Sequence, residues 1–146
     1  MVEVGGYRLE INRPATSESY GRGIAGPESC SCVYCRNWVA GRGRLLPAEV
    51  RALLKEMGVP DDGEIEVWQV PGDDHPHGYG GWYMAVGRIV SAPPEASHEF
   101  MLGGWRLWFS SRASYAVQAF ANQPTVELHF FTWADNYIDD AALHVV

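Results

Sequence analysis

The spacing of the apolar residues changes from helical to strand-like near residue 60, and this change constrains the fold more than any other feature. Before it, apolar side chains recur at i, i+3, i+4 and i+7: Val50, Leu53, Leu54 and Met57. Pro47 suits a first helical turn and Gly58 suits a helix end, so the pattern predicts a helix over 47–57. After residue 60, apolar and polar residues alternate, which predicts strands at 64–70, 82–90, 105–109 and 126–133.

The patterns before residue 47 are shorter. Residues 7–12 alternate between apolar and polar and predict a half-buried strand, whereas residues 13–29 are rich in Pro, Ser and Gly and predict a long loop. A helix is expected to start near Ser31, a good N-cap residue, and to end at Gly41 or Gly43. Its buried face would carry three residues: Cys35, Trp38 and Val39.

The order of these elements predicts an α+β domain with a mostly antiparallel β-sheet packed against two helices of the N-terminal half. We expect residues 1–146 to form one domain, because a chain of this length buries about 70% of its unfolded surface without disulfides or metal. Residues 112–122 fit a helix or a strand equally well. The sheet is predicted to contribute five core residues: Leu9, Ile11, Leu107, Leu128 and Phe130.

The net charge of −7 is placed unevenly along the chain. Residues 1–57 carry eight basic and six acidic side chains, and residues 58–146 carry three and twelve. An acidic chain repels phosphate backbones, so we expect no nucleic-acid partner. The basic residues that do cluster, Arg36, Arg42 and Arg44, are expected on a solvated surface.

Segments for targeting or membrane insertion are not expected. The N-terminus has charged residues where a signal peptide needs an apolar run, and no stretch approaches the roughly 18 apolar residues of a membrane span. The cysteines are odd in number and clustered, which does not fit a disulfide framework. We therefore expect a reduced, cytoplasmic protein that does not act on membranes.

The stretch ESCSCVYCRNW, residues 28–38, contains all three cysteines of the chain: Cys30, Cys32 and Cys35. This spacing puts three soft donors on a turn that leads into a helix, which is the local arrangement a tetrahedral zinc site uses. A helix N-terminus also favours the thiolate form of a cysteine. The spacing is therefore compatible with a zinc site, with a reactive or redox thiol, and with small buried structural residues.

Zinc would require a fourth ligand. The loop GDDHPHGYGGWY, residues 72–83, brings carboxylates and two histidines together, and His75 or His77 is the predicted fourth donor. Such a loop is also what a long hairpin connection requires without any binding role.

The assembled segments resemble a group of small bacterial proteins to which no activity is assigned. The resemblance rests on the turn C-x-C-x-x-C-[RK]-N at Cys30–Asn37, the Pro-initiated helix at Pro47–Val59, and the GGWY strand at Gly80–Tyr83. It covers about the first sixty per cent of the chain. The resemblance implies one domain and implies no catalytic residue.

Three functions fit the sequence. The first is a binding or interaction domain, with a protein or small-molecule partner and a zinc site at the cysteines. The second is a thiol- or metal-dependent enzyme that uses Cys32 or Cys35 with a loop histidine as base. The third is an acidic, inhibitor-type module without metal, which the acidic second half motivates.

Overall fold

The computed structural model describes residues 1–70, 77–111, 117–135 and 137–138. Within these residues the fold is α+β, as predicted, with three α-helices and seven strands. The helices are α1 (Arg13–Gly21), α2 (Val33–Leu45) and α3 (Ala48–Met57). The strands are β1 (Val2–Val4), β2 (Tyr7–Ile11), β3 (Glu66–Val70), β4 (His77–Ser91), β5 (Phe100–Leu102), β6 (Trp105–Ser110) and β7 (Thr125–Ala134).

The seven strands form one antiparallel sheet. Six of them follow the order β1-β2-β4-β7-β6-β5. The seventh, β3, pairs with β4 on the same side as β2 does, but with an earlier stretch of β4. The loop predicted over residues 72–83 was wrong for residues 77–81, which belong to β4. Gly80 lies in this stretch of β4, and a Cβ there would lie 2.7 Å from the Trp68 indole nitrogen. This glycine therefore admits a tryptophan ring against the sheet and does not form a turn.

The long loop predicted over 13–29 was also wrong in its first half, which forms α1. Asn12 caps this helix, since its side chain accepts a hydrogen bond from the Ala15 N–H at 3.1 Å. The helix lies along the edge of β4, between the stretches that pair with β2 and with β3. There Thr16 Oγ1 accepts from the Val86 N–H at 2.9 Å, and Tyr20 Oη accepts from the Met84 N–H at 3.1 Å. These two hydroxyls thus accept hydrogen bonds from backbone N–H groups of β4, whereas elsewhere in β4 the carbonyls of a neighbouring strand do so.

Helix α2 is anchored in the core by Trp38, which is fully buried. Its ring stacks on Phe130 of β7 with centroids 5.4 Å apart and lies 5.2 Å from the Tyr79 ring of β4. The predicted burial of Cys35 is confirmed, and Val39 is only partly buried. These contacts fix the helix on the sheet without any contribution from the exposed cysteines.

The prediction that α2 ends at Gly41 or Gly43 was wrong, because the helix continues to Leu45. Gly41 lies in the helix interior for a packing reason: a Cβ there would overlap the Tyr137 ring. The segment around Tyr137 is held by Asn37, whose Oδ1 accepts the Tyr137 N–H at 2.6 Å and whose Nδ2 donates to the Asp135 carbonyl at 3.0 Å. The glycine therefore marks a close approach and not a helix end.

Helix α3 and the sheet core agree with the predictions. The helix buries the predicted residues Val50, Leu53, Leu54 and Met57, and it ends at Gly58 with φ +82. Four of the five predicted sheet residues are buried, and Ile11 is partly buried against the same cluster. Of the undecided segment 112–122, residues 112–116 lie outside the described residues and Gln118–Phe120 forms a short 3-10 helix.

Among the described residues, no helix has the length and apolar character needed to cross a membrane.

Candidate metal centre

The three cysteines lie where a short 3-10 helix, Pro27–Ser29, leads into α2. We call this 3-10 helix the Pro27 turn. Cys30 follows it directly, and the Cys30 N–H donates to the Pro27 carbonyl at 3.1 Å. Cys32 is the N-cap residue of α2, and its sulfur accepts a hydrogen bond from the Cys35 N–H at 3.4 Å. Cys35 lies in the first turn of the helix, so the local backbone turns all three side chains towards one another.

The three sulfur atoms all lie within 4.8 Å of one another. A tetrahedral zinc ion with Zn–S bonds of about 2.3 Å spaces its sulfur ligands by about 3.8 Å, so binding would require only small side-chain movements. Cys30 and Cys32 are exposed and Cys35 is buried. The group therefore opens to solvent on one side and rests on the protein on the other.

The protonation properties of the exposed and buried thiols differ. Burial by itself raises the pKa of Cys32, but hydrogen bonds from the Cys35 N–H and from the neighbouring thiols outweigh it, so the pKa of Cys32 is lowered. Burial raises the pKa of Cys35, and the neighbouring thiols raise it further. The turn thus pairs an exposed cysteine whose pKa is lowered with a buried one whose pKa is raised.

Of the two predicted histidine ligands, the structure describes His77, which does not join this group. His77 is the first residue of β4 and is buried, with its ring 5.8 Å from the Tyr34 ring and 6.4 Å from the Tyr79 ring. Among the described residues the grouped donors are the three cysteines, so His77 lies near α2 but outside their group. His75 falls in 71–76, outside the described residues. The identity of a fourth ligand therefore stays a prediction.

Tyr79 supports the first turn of α2 from beneath. Its hydroxyl donates to the Tyr34 carbonyl at 2.8 Å and accepts from Asn37 Nδ2 at 3.3 Å. Burial raises the pKa of Tyr79 to about 12, and the nearby thiols contribute to the same direction. The tyrosine is therefore a neutral hydrogen-bonding support for the helix turn that carries Cys35.

A second polar assembly fixes the Pro27 turn against α2. Arg42 donates from Nη2 to Glu28 Oε1 at 2.5 Å and from Nη1 to Glu64 Oε2 at 2.9 Å. Trp38 Nε1 donates to the other Glu64 oxygen at 3.3 Å, and Glu64 is fully buried. Because Glu28 belongs to the Pro27 turn, Arg42 also restrains the position of Cys30.

The expectation that Arg42 lies on a solvated surface was wrong, because its side chain is only 14% exposed. The one signal in the sequence is its spacing: Arg42 follows Trp38 by four residues and so shares the buried face of the helix. Nothing in the sequence pairs it with Glu64, which is 22 residues away. The burial of Glu64 itself raises its pKa to about 7, although Arg42 opposes that shift.

Comparisons of the chain with models of protein families, with curated proteins and with solved structures give no match.

Proposed function

We propose that the chain is a metal-binding protein in which Cys30, Cys32 and Cys35 hold one zinc ion as thiolates. The observation that carries this proposal is the grouping of the three sulfurs within 4.8 Å of one another. Thiolates prefer soft and borderline metal ions, and zinc accepts tetrahedral sulfur coordination. His75 or His77 remains the protein's own candidate for the fourth ligand.

The position of the site indicates what the metal would do. A metal bound to Cys30, Cys32 and Cys35 closes a loop of six residues, and so short a cross-link restricts the unfolded chain little. The core around Trp38 and the sheet forms from other residues. With two exposed ligands, the metal would face solvent and suit a binding role better than a structural one.

Metal analysis of protein purified without chelator tests the proposal. We expect about one equivalent of zinc per chain, and serine at any one of the three cysteines should abolish tight binding. Ser31→Ala is the matched control, because Ser31 lies in the same turn, is exposed, and is not in the donor group. Less than about a tenth of an equivalent of any transition metal in the native protein would contradict the proposal.

The contrast between Cys32 and Cys35 supports a second candidate, a thiol–disulfide exchange activity. An exposed cysteine with a lowered pKa, three residues before a buried one, is an arrangement that dithiol redox sites use. The Cys32 thiolate would attack a substrate disulfide, form a mixed disulfide and release one substrate thiol. Attack of Cys35 on the Cys32 sulfur would release the second thiol, so two electrons pass from the protein to the substrate.

Cys30→Ser separates the two candidates. Metal binding needs all three cysteines, so this variant should lose zinc. Disulfide exchange needs only Cys32 and Cys35, so the same variant should still reduce a small disulfide, while Cys32→Ser should not. Reduction that is lost in Cys30→Ser, or kept in Cys32→Ser, would contradict the exchange activity.

A further inference from the structure

A groove runs beside the cysteine turn, between the Pro27 turn and the first half of α2. It has a volume of about 330 Å³, and its lining residues are Pro27, Glu28, Cys30, Arg36, Val39 and Ala40. This volume is at the lower end of the range for small-molecule sites. Cys30 belongs both to this lining and to the group of sulfur donors, so the groove adjoins the candidate metal centre.

We propose that this groove seats a small aliphatic thiol whose sulfur completes the coordination of the bound metal. The inference rests on the proposed metal site. A zinc ion held by Cys30, Cys32 and Cys35 would lie about 2.3 Å from the sulfur of Cys30, a residue that also lines the groove. The ligand would replace a bound water: the thiol would release its proton to the solvent, the metal–sulfur bond would form, and the water would leave.

The donor arrangement favours a ligand from outside the chain. Among the described residues, only the three cysteines are grouped as donors, and two of them are exposed. His77 is enclosed between the rings of Tyr34 and Tyr79, so bringing it to the metal would break those contacts. The exposed side of the sulfur group is the side from which a small molecule can reach the metal without any rearrangement of β4.

The lining of the groove selects the chemistry of that molecule. Pro27, Val39 and Ala40 provide apolar walls that suit a short carbon chain. The charge of Glu28 is matched by Arg42 at 2.5 Å, so this carboxylate does not require a cationic ligand. Three thiolates make the metal site soft, and such a site prefers sulfur to oxygen as a further donor.

The test uses the full chain loaded with Co²⁺, which reports thiolate coordination through its sulfur-to-metal charge-transfer absorption. Cobalt should first bind at about one equivalent without added thiol. Titration with 2-mercaptoethanol should then raise that absorption by about a third, as three sulfur ligands become four, with cobalt still eluting with the protein. The rise should saturate.

Ala40→Phe fills the groove from an exposed position of α2. It should leave cobalt binding intact and weaken 2-mercaptoethanol binding about tenfold or more, since the two methylenes of the thiol lose their apolar walls. Ala52→Phe is the matched control, at an exposed position of α3 away from the groove, and should not change the titration. If circular dichroism shows that Ala40→Phe is misfolded, Ala40→Leu takes its place.

The outcomes separate the two proposals. No cobalt binding in the absence of thiol would overturn the metal site itself. If cobalt binds but its absorption does not change on addition of 2-mercaptoethanol, or if the added thiol removes cobalt from the protein, the proposal of a thiol ligand is wrong and the metal site still stands. If imidazole bound as tightly as 2-mercaptoethanol, the site would have no preference for a thiol, and the proposed ligand class would be wrong. If the double variant His75→Ala/His77→Ala bound cobalt more weakly than wild type, the fourth ligand would be a histidine of the protein and not an added thiol.

Discussion

Helix α2 carries two polar assemblies that contrast in almost every respect. At its start, three cysteines from six consecutive positions form an exposed donor group. Further along, Arg42 meets the fully buried Glu64 and, through its other nitrogen, Glu28 of the Pro27 turn. The cysteine group is local in sequence and faces water, whereas the ion pair joins distant segments and is enclosed by protein.

The contrast indicates that the buried ion pair stabilises the fold and that the cysteine group contributes little to its stability. A buried ion pair has lost its hydration, so each partner depends on the other. An exposed thiol group keeps its hydration and adds little packing. We therefore expect changes at the ion pair to alter stability strongly, and changes at the cysteines to alter ligand binding with little effect on stability. Three experiments examine this difference, beginning with the largest expected effect.

Arg42→Ala should destabilise the protein by about 3 kcal/mol at pH 8, because it leaves a buried carboxylate without its partner. The loss should be smaller at pH 5, because a carboxyl with a pKa of about 7 is already protonated there and has no charge to leave unpaired. Urea unfolding at both pH values measures the two losses.

Arg51→Ala is the control for Arg42→Ala. Arg51 pairs with Asp61 at 3.1 Å, but both side chains are about half exposed, so its loss should cost less than about 1 kcal/mol. Equal effects of the two substitutions would show that burial does not distinguish the ion pairs.

Glu64→Gln should change how stability depends on pH. The folded pKa of Glu64 is about 7, above its usual 4.5, so the folded state binds the proton more tightly than the unfolded state does. Stability from this group is therefore greatest below about pH 4.5 and is lost as the pH rises towards 7 and beyond. The glutamine variant lacks that loss, so its free energy of unfolding relative to wild type should rise by an amount on the order of 2 kcal/mol between pH 5 and pH 8.

The groups that face Glu64 come from several elements: Arg42, Glu28, Tyr20 and Tyr83. Arg42 is the cation that limits the rise in pKa, and burial raises the pKa values of both tyrosines above the range of the experiment. Glu56→Gln, at an exposed position of α3, controls for the change in net charge. A constant difference between Glu64→Gln and wild type across this pH range would contradict the assignment.

The success of the sequence predictions follows the same division between local and long-range causes. Helix α3 and most of the strands were predicted because their apolar periodicity is strong and contained within each segment. Helix α1 was missed because its nine residues are mostly polar and small. Its hydroxyls accept hydrogen bonds from backbone N–H groups of β4, about 70 residues later in the chain. The residues of the helix alone therefore do not indicate what it packs against.

The candidate site divides in the same way. The sulfur group was predictable because its three cysteines lie within six consecutive positions at the start of a helix, so their side chains are close to one another whatever the rest of the fold is. The pairing of Arg42 with Glu64 was not, since charge and spacing alone favour a solvated arginine. A helix end was predicted at Gly41, and Gly80 lies within the predicted loop, but in the fold these glycines make room for the rings of Tyr137 and Trp68.

The smallest expected effect belongs to Cys32→Ser in metal-free protein. Serine is a better N-cap residue than cysteine, so it can replace the weak bond that the Cys32 sulfur accepts from the Cys35 N–H at 3.4 Å. We expect the free energy of unfolding to change by less than about 0.5 kcal/mol, with any change towards greater stability. The same variant should lose metal, so one substitution separates the capping role of the side chain from its ligand role. Cys32→Ala, which keeps neither role, should be the less stable of the two by about 1 kcal/mol. A loss of about 2 kcal/mol or more in metal-free Cys32→Ser would mean that the cysteine group supports the fold after all, and the contrast between the two assemblies of α2 would no longer hold.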